Sequence, residues 1–463
     1  MTRMTLLSPP RGSAAGVGSD ARADRAWLLL VAFLVCQIFV PSTFVVVGLG
    51  SFGTPANIVG LLCLAVWLRS VMKGQLAFPP VLPRVFIGLF VISSLISSAT
   101  SSQRPVTALE SRAILRWFII SAALGGVALL TSERIRTRRD LDRLITFLIW
   151  CAAVVSAIAA IQFLFGLNLA PFFRSIPVLR ENAVYDSYIQ RANFRRVEAT
   201  ADHPIELGFF LALVLPLAIH RAVAGRSNRL VAIVRVALIL LAMSVTLSRS
   251  AIVEAAVSVL VILPALSRKA RRGVLLGCSA AVVLFRITQP KVSTVLVNLF
   301  TGASKDTSVT HRTSDYEKVA TYFKDYPWFG RGPGTFLPDR YITLDNQYLL
   351  SLLEVGIIGL VVLCLLFAFG LRNSLKAATL YSMPAQRLEA RCLATCFIVS
   401  AFGFAFFDAM SFPLGRGVLF FLLGISGVER RLAEVQRSVW GPLPVEPLST
   451  PPVAVSLRVP VGR

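Results

Sequence analysis

The feature that most constrains this chain is a series of long apolar runs that continues along almost its whole length. About twelve of them approach the ~20 residues that a helix needs to cross a bilayer. They lie at 26–49, 56–71, 85–99, 113–130, 144–165, 205–221, 230–247, 251–266, 273–288, 347–371, 392–410 and 414–428. The chain is 55% hydrophobic and only 15% charged, whereas about a quarter of the residues in soluble domains are charged. The sequence therefore predicts an all-α, polytopic transmembrane helical bundle and disfavours a soluble α/β enzyme with buried strands.

The distribution of charge predicts how the bundle is oriented. The formal net charge is +23. The even-numbered connections between the runs are rich in Arg and Lys, as at 134–143 and 268–272, while the odd-numbered connections at 50–55 and 411–413 carry no charge. Because Lys and Arg collect on the cytoplasmic side of a membrane protein, both termini are predicted to be cytoplasmic. The basic excess is then a topology signal, and a nucleic-acid partner is not expected.

Composition also divides the chain into segments. Residues 1–25 and 431–463 are predicted to be disordered cytoplasmic tails, and residues 26–430 a transmembrane domain. Two connections on the outer side, at about 166–204 and 289–346, exceed the ~15 residues above which a loop is usually functional or disordered. Both contain aromatic, acidic and arginine residues, so we expect them to be ordered, functional periplasmic loops. The seven cysteines all fall inside apolar runs, which favours small core residues over a disulfide framework or a zinc site.

The second outer loop contains two local signals before it reaches an apolar run. Residues 314–317 read Ser-Asp-Tyr-Glu, a capping box that predicts the start of a short helix. Residues 330–334 read Gly-Arg-Gly-Pro-Gly, which predicts a turn with positive φ angles. The loop closes at Asp345 and Asn346, either of which can cap the helix that follows. A carboxylate that caps a helix can still act as a base.

Ionisable residues collect at the borders of other runs. The first outer loop ends in Arg195, Arg196, Glu198, Asp202 and His203. Arg249 joins two apolar runs with almost no loop around it. Desolvating a guanidinium costs several kcal/mol unless an anion pairs with it, and its planar fork suits phosphate oxygens. The alternative is that these side chains snorkel to the interface or close a helix end.

Three blocks, in order, resemble one family. They read RRVEATADHPIELGFFLALVLPLA, then LTLSRSAIVEAAVSVLV, then HRTSDYEKVATYFKDYPWFGRGPGTF followed by LDNQYLLSLLEVGIIGL. Together they resemble the O-antigen ligase and Wzy-type polysaccharide polymerase superfamily over residues 144–371. The resemblance implies an inverting membrane glycosyltransferase without metal or cofactor, at the outer face of the bacterial inner membrane. Its implied partners are a glycan donor on undecaprenyl diphosphate, a glycan acceptor and the lipid bilayer, together with a chain-length regulator or a flippase.

The resemblance also implies roles for residues of this chain. Arg196, Arg249 and Arg312 would hold the diphosphate, and Asp345 would be the general base. His203 and Asn346 would orient the reacting groups. The secondary candidates are Arg195, Glu198, His311 and Glu317. For the pair His311 and Arg312, a solvated position in the loop is the alternative.

One departure from the ligase pattern favours the polymerase branch. Ligases have His-Asn, then nine residues, then Gly-x-x-Gly. This chain keeps Asn346, Gly356 and Gly359 at that spacing and has Asp345 in place of the histidine. The Asp-Asn form is more typical of polymerases, so transfer of glycan to a lipid A core or a protein is the alternative. A transporter or flippase is a third interpretation, which is supported only by the number of spans.

Overall fold

The computed structural model describes residues 20–74, 81–182, 190–191, 194–224, 228–301 and 307–440. These residues are almost entirely helical, which confirms the predicted helical membrane-protein class. The α-helices are α1 Asp20–Phe39, α2 Pro55–Met72, α3 Val81–Ser101, α4 Ala108–Arg134, α5 Arg138–Phe165, α6 Ala170–Arg174, α7 Pro204–Ala224, α8 Arg229–Val245, α9 Arg249–Ile262, α10 Arg268–Thr288, α11 Pro290–Thr301, α12 Thr307–Phe323, α13 Gln347–Glu354, α14 Gly356–Leu380, α15 Pro384–Gly403 and α16 Pro413–Trp440. Short antiparallel strands pair β1 Phe44–Val46 with β2 Leu179–Glu181, and β3 Gln190–Arg191 with β4 Phe194–Arg195.

Fewer helices than predicted meet the length and hydropathy expected of a membrane span. Among the described residues, 6 helices are long and apolar enough: α2, α3, α4, α5, α7 and α14. The number rises to 7 if α10 and α11, which are bent by 113° at the break between them, form one span. The total of about twelve spans and the cytoplasmic position of both termini stay predictions.

The first apolar run, at 26–49, is not one helix. Helix α1 ends at Phe39, and the chain then forms strand β1, which pairs with β2 of the first outer loop. Pro41 has no backbone N–H to donate, so it favours a helix end there, and the Phe-Val-Val sequence that follows favours a strand. Phe44 is fully buried and packs on Phe173, with ring centroids 5.3 Å apart. The end of this run therefore packs onto the first outer loop instead of continuing as a helix.

The apolar run at 347–371 is also broken, into α13 and α14. Gly356 starts α14 with a φ of +68°, and a Cβ atom there would lie 2.3 Å from the carbonyl oxygen of Trp328. The N–H of Ile357 donates to Pro327 O at 2.9 Å, so the second outer loop docks directly at the break. Gly330 meets the same break, with its hypothetical Cβ 2.3 Å from Glu354 O. The glycine at 356 is therefore required by backbone conformation and by the close approach of the loop.

Helix boundaries differ from prediction elsewhere. Helix α12 begins at Thr307, so the predicted helix start at the capping box of residues 314–317 is wrong. The glycines of the 330–334 turn have positive φ angles, as predicted. Helix α1 begins at Asp20 and α16 continues to Trp440, so both extend into the segments predicted to be disordered tails. The rest of those two tails lies outside the described residues.

A buried ionic cluster ties helices together at one end of the bundle, which we call the basic end. Arg138 Nη1 donates to Glu429 at 3.0 Å, and its Nη2 lies 2.7 Å from Glu389. Tyr381 donates to Glu429 at 2.5 Å. Arg138 opens α5, a helix of 28 residues that is about 40 Å long. The opposite end of α5 meets the first outer loop at Gly166, and we call that side of the bundle the site end.

Candidate functional site

The turn between α15 and α16, residues 404–412, lies at the centre of the site end. Gln347, the first residue of α13, donates its backbone N–H to Phe404 O at 2.8 Å and to Phe407 O at 3.2 Å. Its side-chain Oε1 accepts from Met410 N at 2.8 Å. Gln347 is almost completely buried. These bonds fasten the start of α13 to the turn.

Asn346 is the cap of α13, and Asp345 precedes it. Asn346 Oδ1 accepts from Tyr348 N at 2.9 Å and from Leu349 N at 3.2 Å, which confirms the capping interpretation for Asn346. Asp345 is exposed, and its charge acts on Asp408 in the 404–412 turn. The start of α13 therefore brings a second carboxylate, Asp408, close to Asp345.

The environment of Asp408 changes its acidity. The pKa of Asp408 is raised to about 6, mainly by burial and in part by repulsion from Asp345, while a hydrogen bond from Ser411 opposes the increase. A carboxyl group whose pKa lies nearer neutrality is a more effective proton acceptor at neutral pH than an ordinary aspartate. Asp408 can therefore take up a proton near neutral pH.

His203 lies on the other side of the same turn. Its Nδ1 accepts from Ile205 N at 3.1 Å, and its ring centroid is 5.9 Å from that of Phe412. Burial, together with the positive charge of Arg196, lowers the pKa of His203 to about 4. The imidazole is therefore neutral at neutral pH. Because Nδ1 is an acceptor, Nε2 carries the proton and is the atom that can donate to a ligand.

Arg196 and Arg249 flank one tight turn between α8 and α9. Arg196 is buried, and its Nε donates to Thr246 O at 3.0 Å. Leu247, inside the turn, has a φ of +50°, and Arg249 is the first residue of α9. Guanidinium groups beside the positive end of a helix dipole favour an anion. The structure thus brings the first two family blocks to one position.

Other candidates at this end hold the backbone in place. Arg195 Nη1 donates to Gly166 O at 3.0 Å, so Arg195 contacts the end of α5. The backbone N–H groups of Glu198 and Ala199 donate to Gln162 Oε1 at 3.2 and 2.8 Å. These contacts fix residues 195–199 against α5, which supports a positioning role for Arg195.

The remaining candidates lie on α12. Only the backbone of His311 and Arg312 belongs to the described part of the chain, so their side chains lie outside it. The assignment of Arg312 to the diphosphate stays a prediction. Glu317 is exposed on the same helix.

The sequence interpretation missed four ionisable residues at this end. They are Arg116, Glu206, Asp408 and Arg416, and each falls inside a predicted apolar span. Glu206 joins the starts of α7 and α16, because its carboxylate accepts from Asp202 N at 2.9 Å and from Leu414 N at 2.6 Å. Ionisable residues inside membrane segments are rare and usually functional, so their occurrence in apolar runs was the signal that could have identified them.

Comparison with known families matches one part of the chain. Residues 234–364 match the family model described as O-antigen ligase. That range contains Arg249, Asp345 and Asn346, and the match confirms the predicted relationship to the O-antigen ligase and Wzy-type superfamily. The block with Arg196 and His203 precedes the matched range. No curated protein matches the chain.

Proposed function

We propose that the protein is an inverting, metal-independent glycosyltransferase that polymerises undecaprenyl-diphosphate-linked repeat units of an exopolysaccharide or O-antigen. The polymerisation reaction would take place at the outer face of the inner membrane. The main support for the proposal is the position of the 404–412 turn. It accepts and donates hydrogen bonds with Gln347 on one side and packs on His203 on the other. It brings the Asp345–Asn346 pair to the same end of the bundle as Arg196 and Arg249. The charge-based topology predicts that this end faces outwards.

The chemistry assigns each group a task. The bond between the anomeric carbon and the diphosphate oxygen breaks, and its electron pair leaves with the diphosphate. Arg196 and Arg249, together with Arg312, stabilise the negative charge that develops. The acceptor hydroxyl oxygen attacks the anomeric carbon from the opposite face, and its proton passes to the Asp345–Asp408 pair.

Neutral groups complete the site. His203 Nε2–H is a donor that can orient a substrate oxygen, and its low pKa keeps it from competing for the acceptor proton near neutral pH. Asn346 holds the start of α13 through its two capping bonds and so positions Asp345. None of these tasks requires a metal ion, so a chelator should leave the rate unchanged.

The direct test is polymer formation by purified protein in liposomes that contain a defined lipid-linked repeat unit. Arg249→Ala should lower the rate by about 10²–10³-fold, as expected for removing a group that stabilises developing charge. Arg249→Lys should restore only part of that rate, since Lys keeps the charge and loses the fork. Arg340→Ala is the matched control, because Arg340 is exposed in the second outer loop. Full-length polymer from Arg249→Ala would overturn the assignment.

A ligase is the second candidate, because the matching family model is described as O-antigen ligase. The Asp-Asn sequence at 345–346 favours the polymerase. The same liposomes distinguish the two activities, since a polymerase extends repeat units supplied alone and a ligase needs a separate lipid A core or protein acceptor. Synthesis of any glycan bond by the purified protein would exclude a flippase as the main activity.

A further inference from the structure

A narrow recess opens at the site end, between the end of α1 and the first residues of α2, α7 and α16. Its free volume is about that of one water molecule, and the recess is partly open to solvent. Asp202 and Arg416 line it, together with Gln37, Ser42 and Glu206. Asp202 directly precedes His203, so the recess adjoins the site described above.

Asp202 presents an unsatisfied acceptor. Its Oδ2 accepts a hydrogen bond from Ser42 Oγ, and the backbone N–H groups of Ser42 and Thr43 also stabilise the carboxylate. Its Oδ1 is buried and has no hydrogen-bond partner within the part of the chain that the structure describes. A buried polar atom left without a partner loses the full free energy of its hydration, so such an atom in a recess is suited to a ligand that donates.

Arg416 presents unsatisfied donors in the same recess. Its side chain is buried, and Nη1 donates to Met410 O at 2.5 Å. This is the one hydrogen bond of the guanidinium among the residues described, although the group carries five N–H donors. The recess therefore offers both an acceptor oxygen and donor N–H groups.

The charges around the recess indicate what kind of ligand fits. Arg416 lies within electrostatic range of a second cation, Arg116, and of two carboxylates, Asp202 and Glu206. A diphosphate carries only acceptor oxygens, and in the recess these would face the acceptor oxygens of Asp202, so the recess suits a ligand that also donates. A hydroxyl group donates one hydrogen bond and accepts others, so it matches Asp202 and Arg416 together.

We infer that this recess binds a sugar hydroxyl or hydroxymethyl group of a glycan substrate, with its O–H donating to Asp202 Oδ1 and Arg416 donating to its oxygen. The inference rests on the proposed function and adds to it a site that selects the sugar. Because the recess is narrow, the hydroxyl enters it while the sugar ring stays at the mouth, next to His203. The hydroxyl belongs either to the donor glycan or to the acceptor glycan.

The test is a series of substrates that each lack one hydroxyl group. One deoxy substrate should lower the kcat/KM of the wild-type protein by about 10–100-fold or more, because the recess then keeps unpaired polar groups. Asp202→Asn should lower kcat/KM on the complete substrate. On that one deoxy substrate the kcat/KM of Asp202→Asn should equal that of the wild-type protein, because the hydroxyl that Asp202 would bind is already absent. This equality is also a test of folding, because a misfolded variant would fail on both substrates.

Two further variants test whether Asp202 is the residue that discriminates against the deoxy substrate. Ser42→Ala removes the partner of Asp202 Oδ2 and should reduce the discrimination against the same deoxy substrate without abolishing turnover. Asp339→Asn, a change at an exposed carboxylate of the second outer loop, should leave the discrimination as in the wild type.

The source of the hydroxyl is resolved by substrates restricted to one role. A lipid-linked unit whose attacking hydroxyl is methylated can act only as the donor. A glycoside without diphosphate can act only as the acceptor. Two results would overturn the inference. In the first, the wild-type protein makes polymer and its kcat/KM is the same on every deoxy substrate as on the complete one. In the second, Asp202→Asn and the wild-type protein lose the same factor in kcat/KM on every deoxy substrate. Absence of any transfer by the wild-type protein would instead reject the proposed function.

Discussion

Gln347 Oε1 accepts a hydrogen bond from Met410 N at 2.8 Å and thereby joins the start of α13 to the turn between α15 and α16. This contact joins two segments that are 63 positions apart in the sequence. Gln347→Met keeps the volume and removes the acceptor, so Met410 N becomes an unsatisfied buried donor at a cost of about 1–3 kcal/mol. We expect transfer activity to fall while the protein stays folded, because the start of α13, which carries Asp345, loses the contact that positions it.

Polymer formation and thermal unfolding in detergent measure the two effects separately. Gln103→Met, at an exposed position beyond α3, is the control and should change neither. Activity equal to wild type in Gln347→Met would show that α13 does not need this contact.

Asp408 predicts a pH dependence of the reaction. Its pKa is raised to about 6, so the carboxylate form that accepts a proton is present above that pH and is lost as pH falls through it. We expect kcat/KM to be constant above pH of about 7 and to fall about tenfold per pH unit well below the pKa. Asp408→Asn should remove that dependence and lower the plateau. An identical pH profile in the variant would exclude Asp408 as the titrating group.

His203 predicts a contrasting result. Its pKa is lowered to about 4, so it is neutral across the range in which Asp408 titrates. His203→Asn can still accept from Ile205 N and should keep α7 capped, while the Nε2–H donor is lost. Activity should fall by about 10–10²-fold without a shift of the pH midpoint. A midpoint that moves with this substitution would identify His203 as a proton-transfer group.

Gly356 predicts a large effect on stability. Gly356→Ala combines a left-handed conformation, which costs about 1–2 kcal/mol for a residue with a Cβ, with a contact of 2.3 Å to Trp328 O. We expect a clear decrease in the melting temperature in detergent and loss of the docked second outer loop. Gly277→Ala is the matched control. It lies within α10 with nothing near its Cβ, and should be neutral or stabilising. Equal melting temperatures for Gly356→Ala and wild type would contradict the observed break between α13 and α14.

The ionic cluster at the basic end predicts a loss of stability without a loss of chemistry. Arg138→Met leaves Glu429 buried without its cation, which for a broken buried pair costs about 3–5 kcal/mol. Glu389 keeps a second cation, Arg221, at 3.6 Å. The melting temperature should fall, while kcat/KM measured well below it should stay near the wild-type value, since the site lies at the opposite end of α5. Arg139→Met changes an exposed neighbour and should have little effect. A large fall in kcat/KM for Arg138→Met at low temperature would indicate coupling between the two ends.

Much of the architecture is local in origin and could be predicted from the sequence. The apolar runs around α2, α4 and α7 can bury their backbone polar groups in a bilayer only as helices, so composition alone determines the class. Asn346 caps α13 through its own neighbours along the chain, and this too could be predicted. Two boundaries were predicted wrongly: Pro41 and strand β1 end the first run, and α12 starts before the capping box at 314.

The sequence by itself therefore determined a helical membrane protein, the relationship to the O-antigen ligase superfamily, and several of the arginines and carboxylates at helix ends. Only the tertiary structure decided which of them meet. Two contacts of the site join segments far apart in the sequence: the Asp345–Asp408 pair and the packing of the 404–412 turn on His203. No periodicity or spacing in the sequence predicts which distant segments meet. The physical reason is that helix formation depends on hydrogen bonds within a few residues. The site depends instead on how the ends of packed helices are brought together, and that is set by the side chains of all of them at once.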